Sequence, residues 1–454
     1  MSAVNAVALL AAAGGDYQIS RSVRLRSSAS AYFSRTPAGA GNRQIMTFSW
    51  WMKLGNTAGA VFGAPSTTNP RMQLYYNGPS DGRFELYQSD GGGTQVFYTL
   101  TTARYRDPSA WYHFVVAIDT TQGTASNRIK WYVNGVQLTA FDTAAYPAQN
   151  TNMEWNAAAV HNIGRQPNGG SYFDGYLTEI NFIDGQALTP SSFGETDAVT
   201  GVWKPKKYAG TYGTNGFYLN FSDPSAATAT AIGKDYSGNN NNWTPNNISV
   251  TSGVTYDSML DVPTQWADGG NGRGNYAVMS PIDNNLATIT QGNLRVSLGA
   301  SDASVANSTI TMTSGKWYAE FTPSGSPAGY DMIGICDVSA AATSRSYASA
   351  NGWYYFGFNG QKYTNNAGAS YGSTYTNGDV IGVAFDADIG TLTFYKNNTS
   401  QGTAYTGLTG RQFAFAYNTG TSTAGVGGSV NFGQRPFAFS APSGFKALNT
   451  FNLP

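Results

Sequence analysis

Short stretches in which apolar and polar residues alternate recur throughout this chain, and they predict an all-β fold. In residues 111–137, every second residue from Tyr112 to Ile118 is apolar, and the same holds from Ile129 to Val133 after a polar loop. Because successive side chains of a strand point to opposite faces, each segment is a strand with one apolar face, and together they form a hairpin. The 3.6-residue period that an amphipathic helix requires is hard to find after residue 15.

The second half of the chain contains its own version of this hairpin, in residues 378–398. Every second residue from Ile381 to Phe385 is apolar, and Leu392 and Phe394 continue the apolar face after a turn. A chain of 454 residues exceeds the usual size of one hydrophobic core, so two domains of roughly 150 to 200 residues are expected. The sequence therefore predicts two antiparallel β-sandwiches, one in each half.

Between the two halves, residues 196–284 are rich in Gly, Asn, Asp and Pro and poor in alternation, as is typical of an irregular connector. This segment also contains Trp203, Trp243 and Trp266, and large aromatic side chains tend to be buried. We therefore expect the connector to lie against one or both domains. The predicted organisation is an arm over residues 1–20, a first sandwich over 21–195, a connector over 196–284 and a second sandwich over 285–454.

Charge is scarce in this chain and it is balanced. Charged residues make up 11% of the sequence, against about 25% in ordinary soluble proteins, and the 26 Lys and Arg equal the 26 Asp and Glu. Without excess positive charge there is no counterion release to drive binding to phosphates, so nucleic acid is not expected as a partner. The single cysteine, Cys336, excludes an intramolecular disulfide and is expected to pack as a small apolar residue.

The first 18 residues, MSAVNAVALLAAAGGDYQ, are mostly apolar, but no Lys or Arg precedes the apolar run as in a signal peptide. We interpret residues 1–20 as an uncleaved arm that buries its apolar side chains against another protein chain. No other stretch approaches the 18 or more apolar residues that a membrane-spanning helix needs, so membrane insertion is not expected.

Motifs in the first half resemble the laminin G-like branch of the concanavalin A-like sandwiches. These are WYVNGV, HNIGR and FDGYLTEINFIDGQALTP, in which a strand ending in Asn-Gly precedes an "IG" strand and a closing "G-x-L-x-E" strand. The resemblance covers about residues 20–195. It implies an antiparallel sandwich of the jelly-roll type in a fold that includes sugar-binding proteins.

Motifs in the second half, SGKWYAEFTP, YYFGFNGQKY and the hairpin of residues 378–398, resemble the SPRY domain, a related sandwich. Proteins that join these two modules through such a connector resemble structural proteins of tailed bacteriophages. The resemblance implies a homo-oligomer at the surface of a virion, made in the host cytoplasm and attached to other virion proteins through the arm. Its implied role is attachment to a host glycan, as a tail fibre or appendage; capsid decoration or cementing is the alternative.

Catalysis is disfavoured by the residues themselves. Laminarinase-type hydrolases of this fold carry E-x-D-x-x-E on one strand, and the nearest match here has Glu195 and Asp197 but Thr200 in place of the second Glu. Glycoside hydrolysis needs two carboxyl groups. The two histidines, His113 and His161, lie outside any nucleophile elbow, and His113 is expected to face solvent or a second layer. We therefore predict that the protein is not an enzyme, with a polysaccharide hydrolase as the least favoured alternative.

Several carboxylates could hold a metal ion, although each also fits a turn. Asp386 and Asp388 precede Gly390 after a strand and fail the EF-hand pattern, so we interpret them as markers of a hairpin turn. No cofactor is predicted, but calcium remains possible because carboxylate oxygens are its preferred ligands. The candidate calcium ligands are Asp174, Asp184 and Asp235.

Sugar binding is the small-ligand function that the composition favours, because amides, hydroxyls and aromatic faces can bind a sugar without net charge. The candidate binding residues are Trp353, Tyr355, Tyr236 and Trp243. Alternation places Trp353 and Tyr355 on one face of a strand and Tyr354 on the other, so one of these faces must be core. In the first half, Arg24 and Arg26 alternate with apolar residues, which predicts a charged outward face.

Overall fold

A computed structural model describes residues 17–454, so residues 1–16 of the predicted arm lie outside the described residues. The described chain divides into two compact units. The first unit comprises the residues up to 250 together with 257–264, and the second comprises 251–256 together with 265–454. Both units are built from antiparallel sheets, which confirms the all-β prediction. Among the described residues, none of the helices is long and apolar enough to cross a membrane.

The first unit is a sandwich of two large antiparallel sheets. Its strands are β1 (Ser22–Leu25), β2 (Tyr32–Arg35), β3 (Ile45–Leu54), β4 (Gly59–Ala64), β5 (Arg71–Tyr76), β6 (Phe84–Ser89), β7 (Gln95–Thr101), β8 (Trp111–Asp119), β9 (Ile129–Val133), β10 (Val136–Gln137), β11 (Phe141–Ala145), β12 (His161–Ile163), β13 (Gly175–Asp184), β14 (Gly194–Thr196), β15 (Trp203–Pro205), β16 (Phe217–Leu219), β17 (Thr244–Asn246) and β18 (Ser258–Met259). One sheet has the order β10-β9-β8-β3-β13-β1-β18, with β16 also on β13, and the other has the order β11-β7-β6-β5-β4-β12-β2-β17. Strands β14 and β15 form a separate ribbon.

Apolar side chains of both sheets meet in the core of the first unit. Phe48 of β3 stacks on Phe62 of β4, with ring centroids 4.5 Å apart. The predicted hairpin of residues 111–137 forms β8 and β9, and its register pairs Val116 with Trp131, which confirms the shared apolar face. The short 3-10 helices of this unit are Ser27–Ala29, Ala125–Asn127 and Pro190–Ser192.

Residues predicted as connector contribute strands to the sheets of the first unit. Strand β16 pairs with β13, β17 pairs with β2, and β18 pairs with β1. Trp243 is 1% exposed and lies in the core of this unit. The segment therefore extends both sheets of the first unit, and Trp243 is buried as its size predicts, whereas Trp203 and Trp266 are half-buried.

The outward face predicted for Arg24 and Arg26 is wrong, because both side chains are buried. Their relative exposures are 0% and 7%, and both guanidinium groups contact the carboxylate of Asp257, which is fully buried. Asp257 lies just before β18, the strand that pairs with β1 at the edge of this sheet. A face that alternation alone marks as outward is thus covered by a segment more than 200 residues later in the chain.

The second unit is also a two-sheet sandwich. Its strands are β19 (Met279–Asn285), β20 (Ala287–Thr290), β21 (Arg295–Leu298), β22 (Val305–Ser308), β23 (Lys316–Pro323), β24 (Asp331–Asp337), β25 (Gly352–Phe356), β26 (Gln361–Thr364), β27 (Ala367–Ser370), β28 (Ile381–Asp386), β29 (Thr391–Lys396), β30 (Thr399–Tyr405), β31 (Phe413–Thr419), β32 (Gly427–Asn431) and β33 (Lys446–Ala447), with one 3-10 helix, Ala342–Ser344. One sheet has the order β19-β22-β31-β24-β25-β26-β27, and the other has the order β20-β21-β32-β23-β28-β29-β30. The short strand β33 pairs with β23 in parallel.

Aromatic contacts join the two sheets of the second unit. Phe385 of β28 lies edge-on to Phe413 of β31, with centroids 4.9 Å apart. Strands β28 and β29 form the predicted hairpin, in which Phe385 pairs with Leu392. Cys336 is fully buried beside Tyr354, as expected for a small apolar residue.

Candidate functional site

Three of the four aromatic residues predicted to bind a ligand are buried. Trp353 is 7% exposed and lies edge-on to Phe413, while Tyr355 is fully buried. Trp243 is 1% exposed and packs against Phe217. A sugar ring needs an accessible aromatic face, so the prediction of a stacking platform at these residues is wrong. Their large apolar surfaces serve the sandwich cores instead.

The fourth predicted residue, Tyr236, is half-buried, and the Nζ of Lys234 lies 5.0 Å from the centroid of its ring. Tyr236 belongs to the first unit, whereas Trp353 and Tyr355 belong to the second. A lone tyrosine whose ring already faces a cation does not form a binding site by itself.

The predicted calcium ligands Asp174 and Asp184 are buried carboxylates that fix neighbouring loops. An oxygen of Asp174 accepts hydrogen bonds from the backbone N–H and the hydroxyl of Ser27, at 3.2 and 3.0 Å. Asp184 accepts from the backbone N–H of Asn42 at 2.7 Å and from the side-chain amide of Asn156 at 2.6 Å. These oxygens face N–H and O–H donors, which stabilise the carboxylate without a cation.

Asp235, in the same unit as Asp174 and Asp184, also fixes neighbouring loops through hydrogen bonds. Its oxygens accept hydrogen bonds from the backbone N–H groups of Tyr218, Ser237 and Asn241, each at 2.8 Å. Within residues 17–454, no three His, Cys, Asp or Glu side chains are grouped so that they could hold a metal ion. The three candidate aspartates therefore do not combine into one ligand set.

The carboxylate pair in FDAD marks a turn, as its position after a strand predicts. Asp386 accepts a hydrogen bond from the backbone N–H of Asp388 at 3.2 Å and pairs with Lys316 at 3.0 Å. Asp388 accepts from the backbone N–H of Gly315 at 2.7 Å. The first carboxylate closes the turn between β28 and β29, and the second ties this turn to the start of β23.

A serine and a histidine lie within hydrogen-bonding distance of each other, and their geometry argues against nucleophilic catalysis. The Oγ of Ser49 is 2.9 Å from the Nε2 of His113, and the indole N–H of Trp203 donates to Nδ1 of His113 at 3.0 Å. Burial lowers the pKa of His113 to about 3, so the ring is neutral and its one proton must be on Nε2. His113 therefore donates to Ser49 and cannot take its proton.

Two other catalytic candidates, Asp197 and His161, also make structural hydrogen bonds. Asp197 accepts hydrogen bonds from the backbone of Thr200 and contacts Lys204, and these interactions hold its pKa at about 2. A carboxyl group with so low a pKa cannot serve as a general acid near neutral pH. Burial lowers the pKa of His161 to about 4, and its Nε2 accepts the backbone N–H of Asn156.

The second unit exposes an aromatic ring that the sequence analysis did not single out. Phe358 is 57% exposed and stacks on Tyr330, with centroids 4.9 Å apart. Next to it, the side-chain amide of Asn359 donates to Gln361 and to the hydroxyl of Tyr363, at 3.1 and 3.0 Å. We call this set, Tyr330, Phe358, Asn359, Gln361 and Tyr363, the aromatic–amide surface.

A second accessible aromatic region of the same unit is a shallow, open depression. It is a cleft of about 570 Å³ lined by Gly270, Asn271 and the loop of residues 437–445, and we call it the C-terminal cleft. The loop places three half-buried phenyl rings at the cleft, those of Phe437, Phe439 and Phe445. The sequence signal for it was a cluster of aromatic residues inside a Ser-, Pro- and Gly-rich stretch.

A buried carboxylate fixes the loop that lines the C-terminal cleft. Glu320 of β23 is 3% exposed, and its two oxygens accept the backbone N–H groups of Ala438 at 2.7 Å and Phe439 at 2.9 Å. Burial raises the pKa of Glu320 above its ordinary value. On the strand side, the ring of Phe437 lies edge-on to that of Tyr318, with centroids 5.0 Å apart. The backbone of Ala438 and Phe439 and the ring of Phe437 are thus held in place by contacts behind the loop.

Fold and surface together define a protein with two β-sandwiches and accessible aromatic surfaces. Residues 27–192 match the family model described as the concanavalin A-like lectin/glucanases superfamily. Residues 316–435 match the model of the SPRY domain. The chain therefore combines a concanavalin A-like lectin domain with a SPRY domain, two kinds of module that suggest a binding or protein-interaction role.

Individual relatives resemble only parts of the chain. An E3 ubiquitin-protein ligase RKP of Arabidopsis thaliana is 29% identical over 147 residues, which are 32% of this chain and 11% of that protein's length. The SPRY domain of human HERC1 has 18% identity and a TM-score of 0.30 over 34% of this chain and 96% of that structure. A SAP-like pentraxin from Limulus polyphemus has 17% identity and a TM-score of 0.28 over 38% of this chain and 80% of that structure.

Proposed function

We propose that this protein is a non-enzymatic component of a tailed-bacteriophage particle that presents lectin-like domains at the particle surface and attaches to a host glycan. The observation that carries this proposal is the pairing of a concanavalin A-like lectin domain with a SPRY domain in one chain. The resemblance of this pairing, with its connector, to phage structural proteins supports the particle location. The low charge of the chain suits a surface that recognises uncharged ligands by hydrogen bonds and ring stacking.

Two observations support the non-enzymatic part of the proposal. The buried His113 donates to Ser49 rather than accepting its proton, and Asp197 is held ionised by Thr200 and Lys204. Incubation of the purified protein with host polysaccharide should release no reducing sugar. Release of reducing sugar that persists after repurification would contradict a purely binding function.

Copy number and location in the particle test the attachment role. We expect quantitative mass spectrometry and immunogold labelling of purified particles to find a few copies at the tail. Hundreds of copies over the capsid lattice would replace attachment with the alternative role, capsid decoration or cementing. Absence of the protein from particles would overturn the proposal as a whole.

The arm gives a second test of particle location. Deletion of residues 1–15 should abolish incorporation into particles while leaving a soluble, folded protein, because we propose that the arm contacts other virion proteins. Incorporation is measured by immunoblot of gradient-purified particles, and folding is measured by circular dichroism. Normal incorporation of the truncated chain would assign the anchoring contact to another segment.

A further inference from the structure

We infer that the C-terminal cleft, lined by Gly270, Asn271 and residues 437–445, binds a neutral saccharide. The inference rests on the proposed function, because it assigns a site and a ligand class to the glycan attachment. The loop of the cleft lies outside both segments that match family models, residues 27–192 and 316–435. Neither family therefore assigns this site.

The shape of the cleft fits a small ligand better than the aromatic–amide surface does. Its volume of about 570 Å³ lies within the roughly 300–1,000 Å³ that is usual for ligand sites. At the aromatic–amide surface, one face of Phe358 is covered by Tyr330 and the side chain is 57% exposed, so a ligand would contact a single open ring face. Ligand sites are concave because burying most of the ligand surface is what supplies affinity.

The apolar part of the lining consists of phenyl rings. Phe437, Phe439 and Phe445 are all half-buried, and all three line the cleft. The face of an aromatic ring carries partial negative charge and attracts the slightly positive C–H groups of a ligand. A pyranose ring presents such C–H groups on its flat faces, so it can stack on these rings.

The polar part of the lining contains hydrogen-bond donors and acceptors that a ligand can use. The hydroxyls of Ser440 and Ser443 and the side-chain N–H₂ of Asn271 make no hydrogen bond to any of residues 17–454, whereas Oδ1 of Asn271 accepts the backbone N–H of Ala447. A hydroxyl can both donate and accept, and an amide N–H₂ donates. The hydroxyl groups of a sugar match this set, because each of them also both donates and accepts.

The lining carries no charged side chain: it consists of Gly270, Asn271, Phe437, Ala438, Phe439, Ser440, Ala441, Pro442, Ser443, Gly444 and Phe445. A charged ligand that leaves water for an uncharged cleft loses hydration without gaining an ion pair. The cleft therefore favours neutral saccharides over saccharides with carboxylate groups and over charged peptides.

The cleft is also preorganised for binding. Both oxygens of Glu320 hold the backbone of Ala438 and Phe439, and Asn431 donates to the carbonyl oxygens of Arg435 and Pro436, at 3.3 and 3.0 Å. A loop that is fixed before binding loses less conformational entropy when the ligand arrives. This matters for saccharides, since their individual contacts are weak.

The test uses the full chain and an immobilised set of neutral oligosaccharides built from glucose, galactose, mannose and N-acetylglucosamine. Sialylated and uronic-acid oligosaccharides and a proline-rich peptide serve as comparison probes. We expect binding to at least one neutral oligosaccharide. The Phe439→Ala variant should weaken that binding at least tenfold, and Ser443→Trp, which fills the cleft without removing a packed ring, should weaken it as strongly.

Two matched variants make the result specific to the cleft. Phe358→Ala removes an exposed ring from the aromatic–amide surface, and Ser400→Trp places an indole at another exposed serine of the same unit. Both variants should bind the neutral oligosaccharide with an affinity within twofold of that of the unmodified chain. The inference is overturned if only charged oligosaccharides or the peptide bind, if no neutral probe binds, or if Phe358→Ala loses binding while Ser443→Trp retains it.

Particles distinguish failure of the inference from failure of the proposed function. Particles that carry Ser443→Trp should contain the normal number of copies and adsorb to host cells at least tenfold more slowly. Normal adsorption with normal copy number overturns the saccharide site but leaves the particle role intact. Loss of the unmodified protein from particles overturns the particle role, whatever the oligosaccharide measurements show.

Discussion

The two units fasten their irregular outer segments by different chemistry. In the first unit, the segment of residues 257–261 is held by buried ion pairs: Asp257 contacts Arg24 and Arg26, and Asp261 contacts Lys53 at 2.8 Å. In the second unit, the loop of residues 437–445 is held by Glu320 through backbone N–H groups. One attachment joins opposite charges away from water, and the other joins a carboxylate to peptide groups.

The difference explains which outer segment is available for binding. Two charges can be buried stably only if each has its partner, so the carboxylates of Asp257 and Asp261 point inward to their cations and are fully buried. A carboxylate that binds the backbone leaves the side chains of the loop free to point elsewhere. Phe439, next to one of the bonded N–H groups, is therefore half-exposed at the C-terminal cleft.

The strongest test of the comparison removes the shared anion of the first unit. Asp257→Ala leaves Arg24 and Arg26 buried without their carboxylate, and we expect the free energy of unfolding to fall by about 3–5 kcal/mol. Urea unfolding and hydrogen exchange of residues 22–26 measure the loss. Glu154→Ala, which breaks the partly exposed pair with Arg43, is the control and should cost at most about 1 kcal/mol. An equal loss in the free energy of unfolding in the two variants would show that the buried ion pair contributes no more to stability than the partly exposed one.

A second prediction concerns Glu179, a buried carboxyl group of the first unit that belongs to none of the ion pairs among its described residues and whose protonation should make stability depend on pH. Burial raises the pKa of Glu179 to about 7, and the hydroxyls of Tyr17 and Tyr218 donate to its oxygens at 2.7 and 2.8 Å. The nearby charged or titratable groups are Lys207, which favours the ionised form, and Tyr212. In the unfolded chain the pKa of Glu179 has its ordinary value of 4.5. As the pH rises, the folded state therefore keeps the proton of Glu179 to a higher pH than the unfolded chain does.

Between pH 4.5 and 7 the folded state binds more protons than the unfolded state, so stability falls as the pH rises. Protonation of Glu179 makes its full contribution to the free energy of unfolding below pH 4.5, and this contribution is lost as the pH passes 7. Its size is on the order of 3 kcal/mol. Glu179→Gln should remove this dependence from the first unit, as thermal unfolding at several pH values can show. An unchanged pH profile in that variant would assign the dependence to another group.

The sandwich folds could be predicted from sequence because their signal is local. Alternation within single hairpins identified β8 with β9 and β28 with β29, and the apolar faces pair as expected. The same rule failed for Arg24 and Arg26, since it cannot see that residues far along the chain return to cover a strand. Burial of a charged face depends on a distant partner, here Asp257, and such a partner leaves no local pattern.

The candidate site was less predictable than the fold. Trp353 and Tyr355 were chosen as large aromatic residues in one short segment, but both are buried, Trp353 against Phe413 and Tyr355 against Phe394. The C-terminal cleft brings Asn271 to residues 437–445, which no local rule could join. Its aromatic residues lie in a Pro- and Gly-rich loop, where alternation carries no information about exposure.

A smaller effect is expected when the backbone clamp of the second unit is weakened. Glu320→Gln replaces one acceptor oxygen by an N–H₂ group that faces a backbone N–H, so one hydrogen bond is lost, at a cost of about 1–3 kcal/mol. Hydrogen exchange at Ala438 and Phe439 should rise, and oligosaccharide binding should weaken because the loop is less ordered. Glu195→Gln, at a half-exposed carboxylate, is the control and should change stability by less than about 0.5 kcal/mol. Unchanged exchange at both loop residues would contradict the clamp.

The smallest effect should come from Asp388, the exposed carboxylate in the turn between β28 and β29. Asp388 is exposed and accepts one hydrogen bond, from the backbone N–H of Gly315, so Asp388→Ala should cost about 0.5–1.5 kcal/mol. The neighbouring Asp386 is 5% exposed and also contacts Lys316, so Asp386→Ala should cost more. Neither change should alter oligosaccharide binding by more than twofold, because neither residue lines the C-terminal cleft. A large loss of binding with unchanged stability would instead place the ligand at this turn, since a purely structural carboxylate can affect binding only by loosening the fold.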